Sequence, residues 1–264
     1  MQVKNTYYWF KQALSPEVCQ KIIDKGTKQI DDEKSKGKSV SATTFGDNHK
    51  QGLEEKGLKA VAQADKTIEQ VKTEMGISDA DVDNSRYIRD SEVTWMNDQW
   101  LYDTILPYVD KANQYAGWRY NYDYCESFQF TVYEPDGFYN WHRDGGSDHY
   151  AKYKRYIEGI SPPRPSNRKD RLPPGYVKNN QLVGKIRKLS MTINLNEPGD
   201  YDGGNLKFDF GSNREDGHQI HEVEEIRPQG SIIVFPSYQY HCVTPVTRGT
   251  RYSLVLWTLG QPFK

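Results

Sequence analysis

Three segments in the second half of the chain alternate between apolar and polar residues, and this alternation restricts the fold more than any other feature. They are residues 127–134, 188–196 and 250–258. Such alternation is typical of β-strands, and 205–210 and 231–235 are also predicted strands. Turn-forming residues separate them, and no helices alternate with them, which argues against a doubly wound parallel sheet. We therefore predict an antiparallel barrel or jelly roll in the second half.

Each alternating strand has one apolar face and one mixed polar face. The apolar faces carry Phe128, Phe130 and Val132, then Leu189, Met191, Ile193 and Leu195, then Tyr252, Leu254 and Leu256. The polar faces either meet solvent or, if helices cover the apolar faces, line a cavity. Amphipathic helices predicted upstream favour the cavity.

The first half has helical signals. Ser15-Pro16-Glu17 has the pattern of a helix start, and Gly26 can end that helix. Residues 31–52 are polar and predict a loop, whereas 53–75 and 98–116 predict helices. We expect one domain spanning 1–264, in which the mainly helical residues 1–120 support a core at 121–264.

Composition excludes several classes of protein. The 35 basic and 36 acidic residues nearly balance, which argues against a dedicated nucleic-acid binder. There is no apolar run of about 18 residues and no signal-peptide core, so we expect no membrane association. Cys19, Cys125 and Cys242 are far apart and form no C-x-x-C pair. Three reduced thiols in a cytoplasmic protein are therefore expected.

The segment His142-Arg143-Asp144 carries candidate metal chemistry. A His-x-Asp places two ligands on one side of an extended backbone, and a second, distant histidine would complete a two-His-one-carboxylate triad for Fe(II). The motif alone is weak, because about one His-x-acid match is expected by chance in this composition.

The last strands supply the context that the motif lacks. His241 lies just past a predicted buried strand, and ten residues later Arg251 begins the polar face of the last strand. A buried arginine is costly unless it meets an anion, and a dicarboxylate would supply one through a bidentate contact.

Together these residues resemble the iron(II)/2-oxoglutarate-dependent dioxygenase superfamily, within it the prolyl 4-hydroxylase-like group. The pattern is similar to PKHD-type and bacteriophage-encoded hydroxylases over roughly residues 120–260. The resemblance implies an α+β, mainly β fold: a double-stranded β-helix (jelly roll) core braced by N-terminal helices. It also implies the site residues: His142, Asp144 and His241 as iron ligands, Arg251 on the distal carboxylate of 2-oxoglutarate, Tyr133 and Trp257 in contact with that cosubstrate, and Asn194 lining its pocket.

The resemblance implies Fe(II), 2-oxoglutarate and O₂, with ascorbate expected alongside. The implied reaction couples oxidative decarboxylation to succinate and CO₂ with hydroxylation of an unactivated C–H. Peptidyl proline is the favoured substrate; another peptidyl side chain, a free amino acid or a nucleobase are alternatives. Collagen-type relatives usually carry lysine where Arg251 stands, which argues against a collagen-like substrate.

Two other classes stay open at this point. One is a zinc or manganese hydrolase or isomerase on a cupin-like barrel, and the other is a non-catalytic jelly-roll binding module. The spacing of His241, Arg251 and Trp257 argues against the first, and the complete triad argues against the second. The expected partner is a polypeptide, with nucleic acid less favoured.

An insertion at 145–188 follows Asp144 and contains 11 basic residues, three acidic residues and five prolines. We predict a lid or recognition element there. His149 in this insertion could touch substrate, whereas His218 and His221 with Glu222 lack a third ligand at metal-site spacing.

Overall fold

The computed structural model describes residues 5–42, 89–145, 185–211 and 219–263. The predicted helix at 53–75 therefore lies outside the described residues. Only residues 31–42 of the predicted loop at 31–52 are described, and only residues 145 and 185–188 of the insertion at 145–188. His149 and His218 also lie outside the described residues.

The described residues form two α-helices, fourteen strands and one 3₁₀ turn. In chain order they are β1 (Tyr8–Phe10), α1 (Pro16–Ser35), β2 (Arg89–Asp90), β3 (Glu92–Met96), α2 (Gln99–Tyr115), β4 (Tyr124–Cys125), β5 (Phe128–Tyr133), β6 (Phe138–His142), β7 (Ile186–Asn194), β8 (Tyr201–Gly203), β9 (Leu206–Asp209), β10 (Ile220–Glu222), the 3₁₀ turn (Glu224–Ile226), β11 (Ile232–Pro236), β12 (Tyr240–Val243), β13 (Val246–Gly249) and β14 (Arg251–Gly260).

The fold is mainly β, with antiparallel sheets. A seven-stranded sheet has the order β1-β11-β7-β14-β5-β3, and β4 pairs with β14 beside it. A five-stranded sheet has the order β10-β9-β12-β6-β2, and β8 pairs with β13. The five predicted strands correspond to β5, β7, β9, β11 and β14, so the alternation of residue types located them within a few residues.

The two helices pack on the larger sheet, as the apolar faces of its strands require. Cys19, Ile22 and Ile30 of α1 and Leu101 and Ile105 of α2 are buried in one cluster with that sheet. The strand residues in this cluster include Phe128, Phe130, Leu189, Met191, Ile193, Leu254 and Leu256. The predicted arrangement, with helices on the apolar faces and polar faces turned the other way, is therefore found.

Helix α1 starts where the sequence predicts but does not end at Gly26. The Ser15 side chain accepts a hydrogen bond from the Val18 amide, and Pro16 opens the first turn. The helix then runs through Gly26 to Ser35. A Cβ at Gly26 would lie only 2.4 Å from the Phe130 ring, so this glycine allows close packing of helix on sheet. The prediction that Gly26 ends the helix is wrong because packing, not backbone freedom, explains the residue.

The N-terminal half also contributes strands. β1 pairs with β11 at one edge of the larger sheet, and β3 pairs with β5 at the other. Cys19, Cys125 and Cys242 are free thiols. Neither described helix is long and apolar enough to cross a membrane. Location in the cytoplasm stays a prediction from the sequence.

Candidate active site

Two histidines face each other across neighbouring strands of the five-stranded sheet. His142 ends β6 and His241 lies in β12, and the two residues are directly paired in register. Their ring centroids are 4.1 Å apart. The antiparallel pairing of these strands therefore brings together two side chains that are 99 positions apart in the sequence.

The backbone holds both imidazoles in the same protonation form. The Nδ1 atom of His142 lies 2.7 Å from the carbonyl oxygen of Asn140, and that of His241 lies 2.9 Å from the carbonyl oxygen of Gln239. A carbonyl oxygen only accepts, so each Nδ1 must donate its proton. Each neutral ring then presents the lone pair of Nε2 to the site, as a metal-ligating histidine does.

Asp144 supplies a carboxylate between the two rings. It follows β6 in a turn where the Gly145 amide donates to the Ser237 carbonyl at 2.8 Å. One carboxylate oxygen is 3.5 Å from Nε2 of His142 and the other is 3.6 Å from Nε2 of His241. One candidate ligand atom from each of the three residues lies within 4.8 Å of the others.

Burial and charge shape this cluster. Burial and the neighbouring His142 lower the pKa of His241 to about 4, although the negative charge of Asp144 acts to raise it. Burial raises the pKa of the Asp144 carboxyl, but His241, His142 and the Arg187 guanidinium lower it more, so that it lies well below its usual range. At neutral pH the site therefore combines a neutral His241 with an ionised Asp144.

The donor set fits an iron(II) ion. Nε2 of His142 is buried without a hydrogen-bond partner among the described residues. Two imidazole nitrogens and one carboxylate oxygen are the ligands of the facial triad used for non-haem Fe(II), which leaves further coordination positions for other ligands. His142, Asp144 and His241 are the residues that would hold such an ion.

A cavity beside this cluster runs between the two larger sheets. The lining includes His142, Asp144 and His241 from one side, and Gln129, Tyr133, Thr192, Arg251, Ser253 and Trp257 from the larger sheet. The polar faces of β5, β7 and β14 thus line a cavity, which is the second of the two arrangements that the sequence left open.

Arg251 lies in this cavity as a buried cation. It is 2% exposed, and its guanidinium carbon lies 5.3 Å from the centre of the Tyr133 ring, the residue paired with it on β5. Its Nε has no hydrogen-bond partner within the described part of the chain. A buried guanidinium in this state needs an anion to offset its desolvation.

The other predicted contacts of the cosubstrate differ in position. Tyr133 and Trp257 line the cavity, and the buried Nε1 of Trp257 lacks a partner among the residues described. Asn194 is placed apart from that lining. Its Nδ2 donates to the carbonyl oxygens of Asn196 and Arg227, and its Oδ1 accepts from the Tyr201 hydroxyl. The side chain of Asn194 therefore holds the backbone carbonyls of Asn196 and Arg227.

Sequence reasoning missed two residues that surround His142. The Tyr139 ring stacks on His142 with centroids 3.5 Å apart, and the Arg89 guanidinium lies 4.5 Å from the Tyr139 ring centre. A strict two-residue period puts Tyr139 and His142 on opposite faces. The pairing of β6 with β12 is irregular between these positions, with three steps on β6 against two on β12. Such a bulge brings both rings to one side.

A second arginine, beside the cavity residue Trp257, was also missed. Arg187 makes a bidentate ion pair with Glu126, at 2.6 and 2.7 Å, and its guanidinium lies 4.0 Å from the Trp257 ring centre. The exposed Trp95 packs against Trp257 at 6.1 Å. The 61 positions between Glu126 and Arg187 leave no local pattern that could reveal this pair.

His221 does not join the cluster at His142. Its Nε2 lies 3.0 Å from the hydroxyl of Tyr7, which also donates to Glu225 at 3.1 Å. Burial, together with Glu225, raises the pKa of Tyr7 to about 12. The arrangement is a hydrogen-bonded link between β10 and the N-terminal segment.

These features define a class of protein: an antiparallel β scaffold with a two-histidine, one-carboxylate site beside a cavity that contains a buried arginine. The profile of the 2OG-Fe(II) oxygenase superfamily matches residues 128–259, half of the chain, a range that contains all of these groups. The chain belongs to this superfamily.

Curated relatives match over shorter stretches. A PKHD-type hydroxylase of Hyphomonas neptunium is 44% identical over 70 residues, which is 26% of this chain and 27% of that protein. A PKHD-type hydroxylase of Klebsiella pneumoniae is 39% identical over 84 residues, 31% of this chain and 34% of that protein. The chain thus matches about a third or less of the length of these relatives.

A solved structure is similar over nearly the whole chain. The viral collagen prolyl hydroxylase of Paramecium bursaria Chlorella virus-1, in its 2OG complex, superposes with a TM-score of 0.51 at 15% identity. The match covers 97% of each chain. At this identity the likeness concerns the fold.

Proposed function

We propose that this protein is an Fe(II)- and 2-oxoglutarate-dependent dioxygenase that hydroxylates an unactivated C–H of a polypeptide, with peptidyl proline as the favoured target. One observation carries the proposal. The buried Arg251, without an anionic partner among the described residues, lies in the same cavity as the cluster of His142, Asp144 and His241. A hydrolase or a binding module would not need both.

The proposed scaffold is one domain with a double-stranded β-helix (jelly roll) core. The antiparallel order of the two larger sheets, the cavity between them and the likeness to the viral hydroxylase support this. The helices brace the outer face of the larger sheet. Strands from both sheets then hold the two halves of the site rigidly, which favours accurate placement of ligands.

His142, Asp144 and His241 would hold the iron. When bound, iron supplies the oxygen chemistry of the reaction, together with 2-oxoglutarate and O₂. The Asn140 and Gln239 carbonyls accept from Nδ1 of the two histidines and so turn Nε2 of each ring toward the ion. Burial around Asp144 limits access of water to the site. Ascorbate would keep the iron reduced during turnover.

Arg251 would bind the distal carboxylate of 2-oxoglutarate. Its planar guanidinium matches a carboxylate through two parallel hydrogen bonds. Tyr133, paired with Arg251 across β5 and β14, is placed to contact the same ligand. The cavity extends along β14 from Arg251 through Ser253 and Val255 to Trp257, whose ring would pack on the same cosubstrate.

Peptidyl proline is the favoured target because the relatives and the similar structure are hydroxylases, one of them described as a collagen prolyl hydroxylase. Arg251 in place of the lysine typical of collagen-type relatives argues against a collagen-like chain. The other peptidyl side chains, a free amino acid or a nucleobase are the remaining substrates to compare.

Succinate production tests the proposal. The purified protein with Fe(II), ascorbate and 2-oxoglutarate should release succinate, and proline-containing peptides should gain 16 mass units in proportion to it. His142→Ala, Asp144→Ala and His241→Ala should each abolish turnover and stoichiometric iron binding. His221→Ala, a histidine engaged with Tyr7 instead, is the matched control and should keep both.

A different outcome would contradict each part of the proposal: the site, the reaction and the substrate. Succinate formation that persists in all three triad variants would refute the site. Absence of succinate from the wild-type protein with iron and every substrate class would refute the reaction. Hydroxylation of a nucleobase or free amino acid, with none of any peptide, would refute the polypeptide substrate alone.

A further inference from the structure

The side chain of Arg251 lies in a slot whose wall is a glycine. A Cβ placed on Gly204 would lie 2.8 Å from Cδ of Arg251, 3.0 Å from Cγ2 of Val246 and 3.3 Å from Cε2 of Tyr201. Real Cβ atoms essentially never come within 3.0 Å of such neighbours. The stem of Arg251 therefore occupies space that exists only because residue 204 has no side chain.

The turn that carries this glycine is fixed from behind. Gly204 donates its amide to the Pro245 carbonyl at 3.0 Å. The Arg227 guanidinium donates to the carbonyl oxygens of Gly203 and Tyr201, at 3.0 and 3.1 Å, and lies 4.3 Å from the Tyr201 ring centre. Asn194 in turn donates to the Arg227 carbonyl at 2.7 Å.

This bracing decides which group must move when the slot is filled. The backbone at Gly203 and Gly204 is held by hydrogen bonds, and Tyr201 is buried in a packed cluster. The side chain of Arg251 lacks such an anchor at its Nε. A methyl group on residue 204 would therefore displace Cδ of Arg251. Because Cδ is bonded directly to Nε, the guanidinium would move with it.

We propose that Gly204 is a positioning residue for the cosubstrate. It sets the place of the Arg251 guanidinium and thereby the affinity for 2-oxoglutarate. The inference rests on the proposed function, because it takes Arg251 as the carboxylate-binding group. Bidentate recognition depends on angle as well as distance, so a small displacement of the guanidinium weakens it. The iron ligands belong to β6, its following turn and β12, away from this slot, and should be unaffected.

Gly204→Ala tests the inference, with Gly117→Ala as the matched control. Both glycines have positive φ, +59° and +76°, so both variants suffer similar backbone strain. A Cβ at Gly117 meets nothing within 4 Å, whereas one at Gly204 meets Arg251. The difference between the variants therefore separates crowding in the slot from backbone strain, and the comparison in an Arg251→Ala background assigns that crowding to Arg251.

Binding is measured by anaerobic calorimetry on the iron-loaded protein, and turnover is measured in parallel. Gly204→Ala should raise the dissociation constant and KM for 2-oxoglutarate about tenfold, with kcat at saturation and iron affinity near wild type. Gly117→Ala should change neither constant more than about twofold. In an Arg251→Ala background, Gly204→Ala should cause no further loss, because its effect passes through Arg251.

Wild-type 2-oxoglutarate affinity in Gly204→Ala, equal loss in both glycine variants, or additive loss with Arg251→Ala would each overturn the inference. If Gly204→Ala fails to fold, Gly204→Ala/Val246→Ala removes one crowded contact and keeps the one with Arg251. Failure of that double variant to fold would also count against a positioning role. A wild-type protein that binds no 2-oxoglutarate would refute the proposed function instead.

Discussion

Arg251 lies in the cavity and Arg187 lies beside it, against the lining residue Trp257, and the two arginines differ in what neutralises them. Arg187 is held by both oxygens of Glu126 and stacks on Trp257. Arg251 lies against the Tyr133 ring, and no carboxylate in the described ranges forms an ion pair with it. Because an unpaired buried charge is costly, Glu126 compensates Arg187, and we propose that a ligand compensates Arg251.

We therefore predict a structural role for Arg187 and a binding role for Arg251. The Arg187 ion pair joins β7 to the segment before β5, so its removal should act mainly on stability. Removal of Arg251 should act mainly on cosubstrate affinity. Substitutions should separate the two effects.

The largest effect should come from breaking the internal pair. Glu126→Gln removes the negative charge that pairs with the largely buried Arg187, and loss of one partner of such a pair costs about 3 kcal/mol. We expect this loss in the free energy of unfolding from denaturant titration. The control is Asp202→Asn, which breaks an exposed pair with Arg248 of similar length, 2.7 Å, and should cost far less stability.

Glu126→Gln should leave the dissociation constant of 2-oxoglutarate within about twofold of wild type. A rise as large as that caused by removing Arg251 would show that Arg187 also binds the cosubstrate, and the distinction between the two arginines would fail.

Arg251→Ala should have the next largest effect. It removes a charge-assisted bidentate contact worth about 1.5–3 kcal/mol, so the apparent constant for 2-oxoglutarate should rise about tenfold or more. Titration of succinate formation against 2-oxoglutarate measures the change. An unchanged constant would contradict the assignment of Arg251, and iron binding by this variant should stay normal.

The two arginines also show how far the sequence could be read. The sequence indicates Arg251 because it begins the polar face of the last predicted strand, and the family resemblance indicates Tyr133. A motif indicates His142, and a predicted strand together with the resemblance indicates His241. The structure brings these residues together, while their roles stay predictions. Arg187 with Glu126, and Tyr139 with Arg89, were missed because distant pairing and a bulge create these contacts. No short window of sequence contains either signal.

The predicted helix end at Gly26 is wrong for a similar physical reason. Glycine favours turns, yet Gly26 lies within α1, where the Phe130 ring leaves no space for a Cβ. The place of Asn194 in the cosubstrate pocket is implied by the family resemblance and stays a prediction. Its side chain donates to the Arg227 carbonyl and accepts from the Tyr201 hydroxyl.

The stabilisation of the folded protein by bound 2-oxoglutarate should be a smaller effect, and it compares the two arginines directly. At a 2-oxoglutarate concentration 100 times the wild-type dissociation constant, binding should stabilise the iron-loaded wild type by about 2.7 kcal/mol. A tenfold weaker Arg251→Ala variant should gain about half as much under the same anaerobic conditions. Glu126→Gln starts from lower stability but should gain the full amount. Equal protection of wild type and Arg251→Ala would contradict a role for Arg251 in binding.

The smallest effect should come from Arg251→Lys. Lysine keeps the positive charge and part of the stem that passes Gly204, but it replaces a planar fork with a single ammonium and loses the bidentate geometry. We expect the constant for 2-oxoglutarate to rise about threefold, well below the change in Arg251→Ala. The corresponding Arg187→Lys variant should leave this constant unchanged and lose stability instead, because one ammonium cannot satisfy both oxygens of Glu126. A larger affinity loss in Arg187→Lys than in Arg251→Lys would reverse the roles assigned to the two residues.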